Sequence, residues 1–226
     1  EIGHPIGQPF GLVAAGFFES EEDIDNWYDQ SLLGGRPIPG DVKYKDINGD
    51  NIIDSNDQCA IGYTREPELV FGFGGTIEYK GFDLSAYFTG AARTSTFFED
   101  RTFWPFASGM GFFNVFKEIY DNRWTPETAG AAKYPVVTYG FNVQSMRRST
   151  VWQKDASYLR LKNLNIGYDL PMAILRPLGI THAQVFANAT NLFCISAVTE
   201  FLDPEQEYYD SYPLMRTFSF GLNFSF

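Results

Sequence analysis

The sequence predicts an all-β fold made of antiparallel strands of the transmembrane-barrel kind. Three observations carry this expectation. Apolar residues recur with period two in several separate stretches, which is the strand signature. Aromatic residues make up 17% of the 226-residue chain, with 22 Phe and 13 Tyr beside 21 Gly, a mixture that suits strands and turns better than helices. The segments joining the strands alternate between short and long, so the long ones gather at one end of the sheet.

The chain opens with EIGHPIGQPF, which reads as the middle of something longer, so a fragment or a processed portion is expected. In SEEDIDNWY, Ser20 stands ahead of Asp23 at the spacing of a helix N-cap. The stretch DINGDNIIDSND, Asp46 to Asp57, is crowded with side-chain oxygens. With Asp46 as position one, Asp46, Asn48 and Asp50 fall at one, three and five. The Ile52 carbonyl falls at seven, Asp54 at nine and Asp57 at twelve, which is the ligand spacing of an EF-hand-type calcium loop. Position six is Asn51 rather than Gly, position twelve is Asp rather than Glu, and no amphipathic helix pair frames the loop. Two readings therefore stand side by side: a Ca2+ loop, and a surface turn held by its own side-chain-to-backbone bonds.

Five strands follow, at 69–80, 82–91, 156–170, 181–194 and 213–226. In the first, Leu69, Phe71, Phe73, Ile77 and Tyr79 share one face, and Val70, Gly72, Gly74, Thr76 and Glu78 the other. After a tight turn at KGF, Phe82, Leu84, Ala86 and Phe88 alternate with Asp83, Ser85, Tyr87 and Thr89, so the two strands form a hairpin. From Ala91 to Asp155 the chain is aromatic without a steady period; a long, partly ordered loop is expected there, with a short helix near 112–120. In SYLRLKNLNIGYDLP the alternation slips near Lys162 and Asn163, which predicts a β-bulge. Pro171 ends that strand, and PMAILRPLGI holds a helical turn. The next strand alternates Ala183, Val185, Ala187, Ala189 and Phe193 with His182, Gln184, Asn188 and Thr190. The last lines up Phe218, Phe220, Leu222, Phe224 and Phe226 opposite Thr217, Ser219, Gly221, Asn223 and Ser225.

Such a row of bulky residues calls for burial, at about 1.5 to 3 kcal/mol per side chain. A second sheet would supply it, and so would lipid; alternation alone does not decide. Loop lengths do favour one reading. The connections at 80–82 and 171–180 are short and those at 91–155 and 195–212 are long, the pattern of a membrane barrel with short periplasmic turns and long extracellular loops.

Composition narrows the function. A net charge of -11 leaves nothing to neutralise phosphates, so a nucleic-acid partner is not expected. No stretch reaches the roughly 18 to 20 apolar residues of a membrane helix. Cys59 and Cys194, the only two cysteines, form no zinc pattern, and a bond between them is left open. His4 and His182 are isolated, and no nucleophile triad, phosphate loop or glycosidase carboxylate pair stands out, so no enzyme is expected. The sequons at Asn188 and Asn223 lie inside strands and are set aside.

Several segments, in order, resemble the C-terminal part of SusC/RagA-type TonB-dependent outer-membrane transporters. They are GHPIGQPFGLVAAGFFES, PGDVKYKDINGDNIIDSND, IGYTREPELVFGFGGTIEYKGFDLSAYFTG, NRWTPE, ASYLRLKNLNIGYDLP and the Phe-ending last strand, and they cover nearly the whole chain. The resemblance implies a large antiparallel transmembrane β-barrel of about 22 strands in the bacterial outer membrane, plugged by a domain with no match here. Residues 1–68 would be an extracellular loop region carrying the Asp/Asn-rich turn, and residues 69–226 barrel strands with their loops, the C-terminus periplasmic. The implied partners are the remaining barrel and plug, a SusD-like surface lipoprotein as lid, TonB acting through the plug, and outer-membrane lipid. The implied function is energised uptake of glycans or peptides. The rival is a soluble, calcium-stabilised β-sandwich that binds carbohydrate.

On this frame Trp27, Tyr28, Trp104, Phe106, Phe113 and Trp124 are candidate substrate or lid contacts in the long loops, against the simpler reading that they pack together to order those loops. Asp83, Tyr87, Gln184, Asn188 and Thr190 are expected to face the lumen. Phe71, Phe73, Phe218, Phe220, Leu222, Phe224 and Phe226 are expected to face lipid.

Overall fold

A computed structural model describes residues 2–99, 102–107, 114–206, 212 and 214–226. In chain order the elements are β1 (Phe10–Gly11), β2 (Ala14–Phe17), α1 (Glu21–Asp25), β3 (Val42–Tyr44), β4 (Cys59–Ala60), β5 (Leu69–Tyr79), β6 (Phe82–Ala92), β7 (Ser95–Phe97), α2 (Lys117–Asp121), β8 (Gln153–Asp155), β9 (Tyr158–Asp169), α3 (Met172–Leu175), β10 (His182–Ser196) and β11 (Thr217–Ser225). They fall into two compact units. One joins Glu1–Arg65 to Ser95–Lys154, and the other joins Glu66–Thr94 to Asp155–Phe226.

The second unit is one five-stranded antiparallel sheet in the order β11-β10-β9-β6-β5. Its five strands lie where the alternation places them. β5 and β6 meet in a two-residue turn in which Lys80 (φ 49°) and Gly81 (φ 85°) are both left-handed. That geometry matches the right-handed twist of the flanking strands, and Gly81 adopts it without a Cβ penalty. β9 returns to β10 through α3 and a 3-10 turn at Arg176–Leu178, closed by left-handed Gly179. The register of β9 slips against both neighbours: Asn163 and Leu161 are paired on each side and Lys162 is skipped. This is the bulge expected there. β10 answers with two unpaired residues, Asn191 (φ 53°) and Leu192.

The first unit is not a loose loop. Residues 95–154, expected as a partly ordered connection between strands, pack with the first 65 residues instead. Leu12, Leu33, Val42, Tyr44 and Ile53 form its core, with Ala14, Phe17 and Val151 against them. Trp152, Phe18, Phe98 and Ile119 are also fully buried. Polar bonds join the two segments. The Ser145 hydroxyl donates to buried Asp41 at 2.8 Å and accepts from the Val42 N–H at 3.1 Å. Buried Gln30 donates to the Gln144 side-chain oxygen at 3.0 Å, and the Tyr44 hydroxyl to the Gln144 carbonyl at 2.9 Å. Every one of these groups would be costly to bury unpaired. The Ser20 cap is present: its hydroxyl accepts the Asp23 N–H at 3.2 Å at the start of α1. The helix expected near 112–120 is α2; the two residues 112 and 113 lie outside the described residues. Cys59 and Cys194 are free thiols.

Candidate functional site

The sheet of the second unit has two chemically distinct faces. Because successive side chains in a strand point to opposite sides, in-register pairing stacks like with like. One row runs Ile77, Leu84, Ile166, Ala187, Phe220 across all five strands, and another Tyr79, Phe82, Tyr168, Val185, Leu222. The bulge at Lys162 keeps Leu161 and Phe193 in phase with Phe88. Phe73 stacks on Phe88 at 5.1 Å, and Phe82 lies 4.3 Å from Tyr168. This apolar face is open. Phe71, Phe73, Phe218, Phe220, Leu222 and Phe224 all lie on it, with 81% of Phe220 exposed, and Phe226, just past β11, is 88% exposed.

The opposite face is polar. One row runs Thr76, Ser85, Asn165, Asn188, Ser219, and another Gly74, Tyr87, Asn163, Thr190, Thr217. Asp83, Tyr87, Gln184, Asn188 and Thr190 all lie on this face. Asp83 leans across Gly167 to accept from the Gln184 amide at 2.8 Å. A Cβ on Gly167 would collide with the Asp83 carboxylate, so glycine is what lets that bond span a strand. The Tyr87 ring covers Gly72 and Gly74 in the same way, and Phe186 covers Gly221.

At the end carrying the long connections, the polar face holds a buried cation. Arg160, 2% exposed, ion-pairs with Asp203 and Glu205 of the β10–β11 connection. Glu205 also accepts from the Tyr158 hydroxyl at 2.9 Å and lies 3.8 Å from the Lys162 ammonium. A guanidinium at this depth is tolerable only when so paired. This cluster ties residues 198–206 onto the sheet. It was not among the sequence-based candidates. The available signal was an arginine in the polar phase of SYLRLK together with the acidic run DPEQE.

The loop aromatics are dispersed within the first unit. Trp27 donates to the Tyr44 carbonyl at 2.9 Å, packs edge-on against Tyr28, and has the Lys43 ammonium 4.7 Å from its ring. Trp104, half-buried, meets Phe141 edge-on, and half-buried Phe106 holds a left-handed φ of 51°. Trp124 is not available at a surface: it is 6% exposed and closes over Gly40, where any Cβ would strike its ring. Phe113 lies outside the described residues.

The Asp46–Asp57 loop directs its oxygens at its own backbone. Asp46 accepts from the N–H groups of Gly49 (2.7 Å) and Asn51 (2.8 Å), and Asp50 from that of Ile52 at 2.9 Å. Asn48 accepts from the Asp50 N–H and Asp54 from that of Asn56. Fully buried Asp57 accepts from Ile47 and Asp54, both at 2.8 Å. Asn51 takes the left-handed φ of 66° that its position requires. Among the described residues no three carboxylate, thiol or imidazole groups converge as metal ligands.

No family model matches the chain. Along its whole length it is 32% identical to TonB-dependent receptor P26 of Formosa agariphila, and over 99% of its length it is 27% identical to TonB-dependent receptor P3 of the same organism. The chain spans slightly less than a quarter of these curated relatives, 23% and 22% of their lengths. Among solved structures it is similar in fold to a chain of the RagAB peptide transporter, with a TM-score of 0.66 at 21% identity over 100% of this chain and 23% of that one. The RagAB peptide importer in its open-open state gives a TM-score of 0.64 at 22% identity, with the same coverage.

Proposed function

We propose that the chain, similar along its whole length to TonB-dependent receptors, supplies the C-terminal staves of a SusC/RagA-type outer-membrane importer for large nutrients, glycans or peptides. The observation that carries this reading is the open apolar face of a single unclosed sheet. The eleven residues of β5 rise about 3.3 Å each, and a tilt of about 40° leaves roughly 25 Å along the membrane normal. That matches the apolar band of an outer-membrane barrel, about 25 Å tall. The soluble sandwich alternative needs Phe220, Leu222 and Phe224 in a dry core, yet they are 81%, 57% and 51% exposed.

The outer edges of β5 and β11 have no strand partner among the described residues. Open edges are not tolerated in hydrocarbon, so further strands complete the barrel, to about 22 in all, around a plug reached by TonB. The short turns at 80–81 and 170–181 then face the periplasm, as does the C-terminus. The long connections face outward, where a SusD-like lipoprotein acts as lid. The polar face lines the lumen. The chain's part is to hold cargo and a pathway. The Asp46–Asp57 loop serves as a self-capped turn that stiffens the first unit without metal.

Membrane fractionation tests the reading. The full-length protein should appear in the outer-membrane fraction, need detergent for release, and migrate differently on gels before and after boiling. A folded, soluble protein recovered without detergent would end it.

A further inference from the structure

We infer that the pocket between the polar face and the β10–β11 connection is a subsite for a peptide segment, a substrate class narrower than the importer reading on which this rests. The cavity, of ~440 Å³, is lined by Arg160, Asn191 and Cys194 from the sheet and by Glu200, Asp203 and Arg216 from the connection. Its size lies in the ordinary range for a bound organic group.

Three features of its lining select the ligand. First, its fixed charges fall into two sets. Arg160 and Asp203 neutralise one another, with Glu205 and Lys162 close by. Glu200 and Arg216, both exposed, have no ion-pair partner among the described residues. Among the described residues the pocket therefore offers one carboxylate and one guanidinium without an ion-pair partner. Second, the Asn191 side-chain oxygen is buried and lacks a hydrogen-bond donor among the described residues, while the amide nitrogen donates to the Met215 carbonyl at 3.1 Å. A buried acceptor left in this state calls for an N–H or O–H from a ligand or water. Third, Phe201, Leu202 and Leu214 give the wall an apolar part.

A peptide answers all three. It carries both signs of charge at its termini and side chains, backbone N–H groups for Asn191, and apolar side chains for the wall. A neutral glycan brings hydroxyls but no charge for Glu200 or Arg216. An acidic glycan answers Arg216 and is repelled by Glu200. Arg216 is the residue suited to a carboxylate, since a guanidinium presents paired donors to its two oxygens.

The test uses the full-length transporter immobilised in detergent, with a tryptic casein digest as probe and mass spectrometry of retained peptides as readout. One portion of the digest is methyl-esterified to remove its carboxylates. The wild type should retain the untreated digest about tenfold better than the esterified one, the effect of one lost charge-assisted contact. R216Q should lower retention of the untreated digest about tenfold and erase the difference between the two. E200Q should weaken retention while preserving that difference. Both positions are exposed, and heat-modifiable migration verifies that each variant is assembled. An assembled R216Q that retains both digests like the wild type overturns the subsite. Retention of a neutral oligosaccharide ladder in place of the digest overturns the peptide assignment while leaving an importer. Recovery of the protein as a soluble monomer refutes the importer reading itself.

Discussion

If the apolar face meets lipid, arginine placed along β11 should cost stability according to depth. The apolar positions Phe218, Phe220, Leu222, Phe224 and Phe226 span eight steps, about 20 Å along the membrane normal at about 3.3 Å per residue and a 40° tilt. Leu222 is the middle position, and Phe218 and Phe226 lie about 10 Å to either side, near the edges of a 25 Å band. Arginine on a barrel's lipid face costs about 2–4 kcal/mol at the midplane and about 0–1 near the interfaces. L222R should therefore lose about 2–4 kcal/mol, and F218R and F226R about 1 kcal/mol or less, each measured against alanine at the same position so that removal of the apolar side chain cancels. Urea titration of the full-length protein refolded into lipid vesicles, followed by tryptophan emission, measures each value. Water gives a different profile. Leu222 is 57% exposed and Phe226 88% exposed, and substitutions at exposed sites usually stay within about 0.5 kcal/mol. A flat profile near zero across the three variants would refute the lipid-facing assignment.

Other outcomes follow from the same geometry. Gly167→Ala drives a methyl group into the Asp83 carboxylate and should destabilise the barrel by about 1–3 kcal/mol in the same titration; adding Asp83→Gly should recover much of the loss, and additive penalties would show that the clash is not the cause. Asp57→Ala leaves the Ile47 and Asp54 N–H groups without their acceptor and should lower the unfolding midpoint of the first unit, at a cost of about 3 kcal/mol. Calcium should not shift that midpoint in the unsubstituted protein relative to chelator, and a concentration-dependent rise would establish a metal loop instead. Asp23 provides an acid signature. Burial alone would raise its pKa, but the Lys43 ammonium, at 2.7 Å from one oxygen, and the Glu19 N–H outweigh it and hold the carboxyl below its ordinary value. Its contribution is therefore complete above the ordinary carboxylate range and lost as pH falls through the depressed value, so Asp23→Asn should flatten the acid limb of a stability–pH curve. An unchanged acid limb would remove Asp23 from that role.

How far the sequence could be read depended on the range of the interactions involved. The five long strands were legible because a period of two survives over nine or more residues, as in TFSFGLNFSF. Even the bulge at Lys162 appeared as a phase slip. The KGF turn was legible because it is local chemistry. The first unit was not, since its strands are two to four residues long and show no period. Its core depends on bonds such as Gln30 to Gln144 and Val42 to Ser145, which join residues more than a hundred positions apart. Whether Trp124 packs inside or meets a ligand was not legible for the same reason: nothing near it in sequence announces that Gly40 is its partner. The Arg160 cluster likewise joins a strand to a loop some forty residues on. The Asp46–Asp57 motif left two readings open because calcium ligation and self-capping ask for the same residue types.

Accessibility along β11 probes most directly whether hydrocarbon lies on one side of this sheet and water on the other. Single cysteines at 218 through 224 of the full-length protein, spin-labelled in lipid vesicles, would be relaxed by oxygen, which partitions into lipid, or by a nickel chelate, which stays in water. Labels at 218, 220, 222 and 224 should favour oxygen, and those at 219, 221 and 223 the chelate, switching at every residue. Uniform relaxation by the chelate, or protection from both agents at the even positions, would contradict a membrane wall.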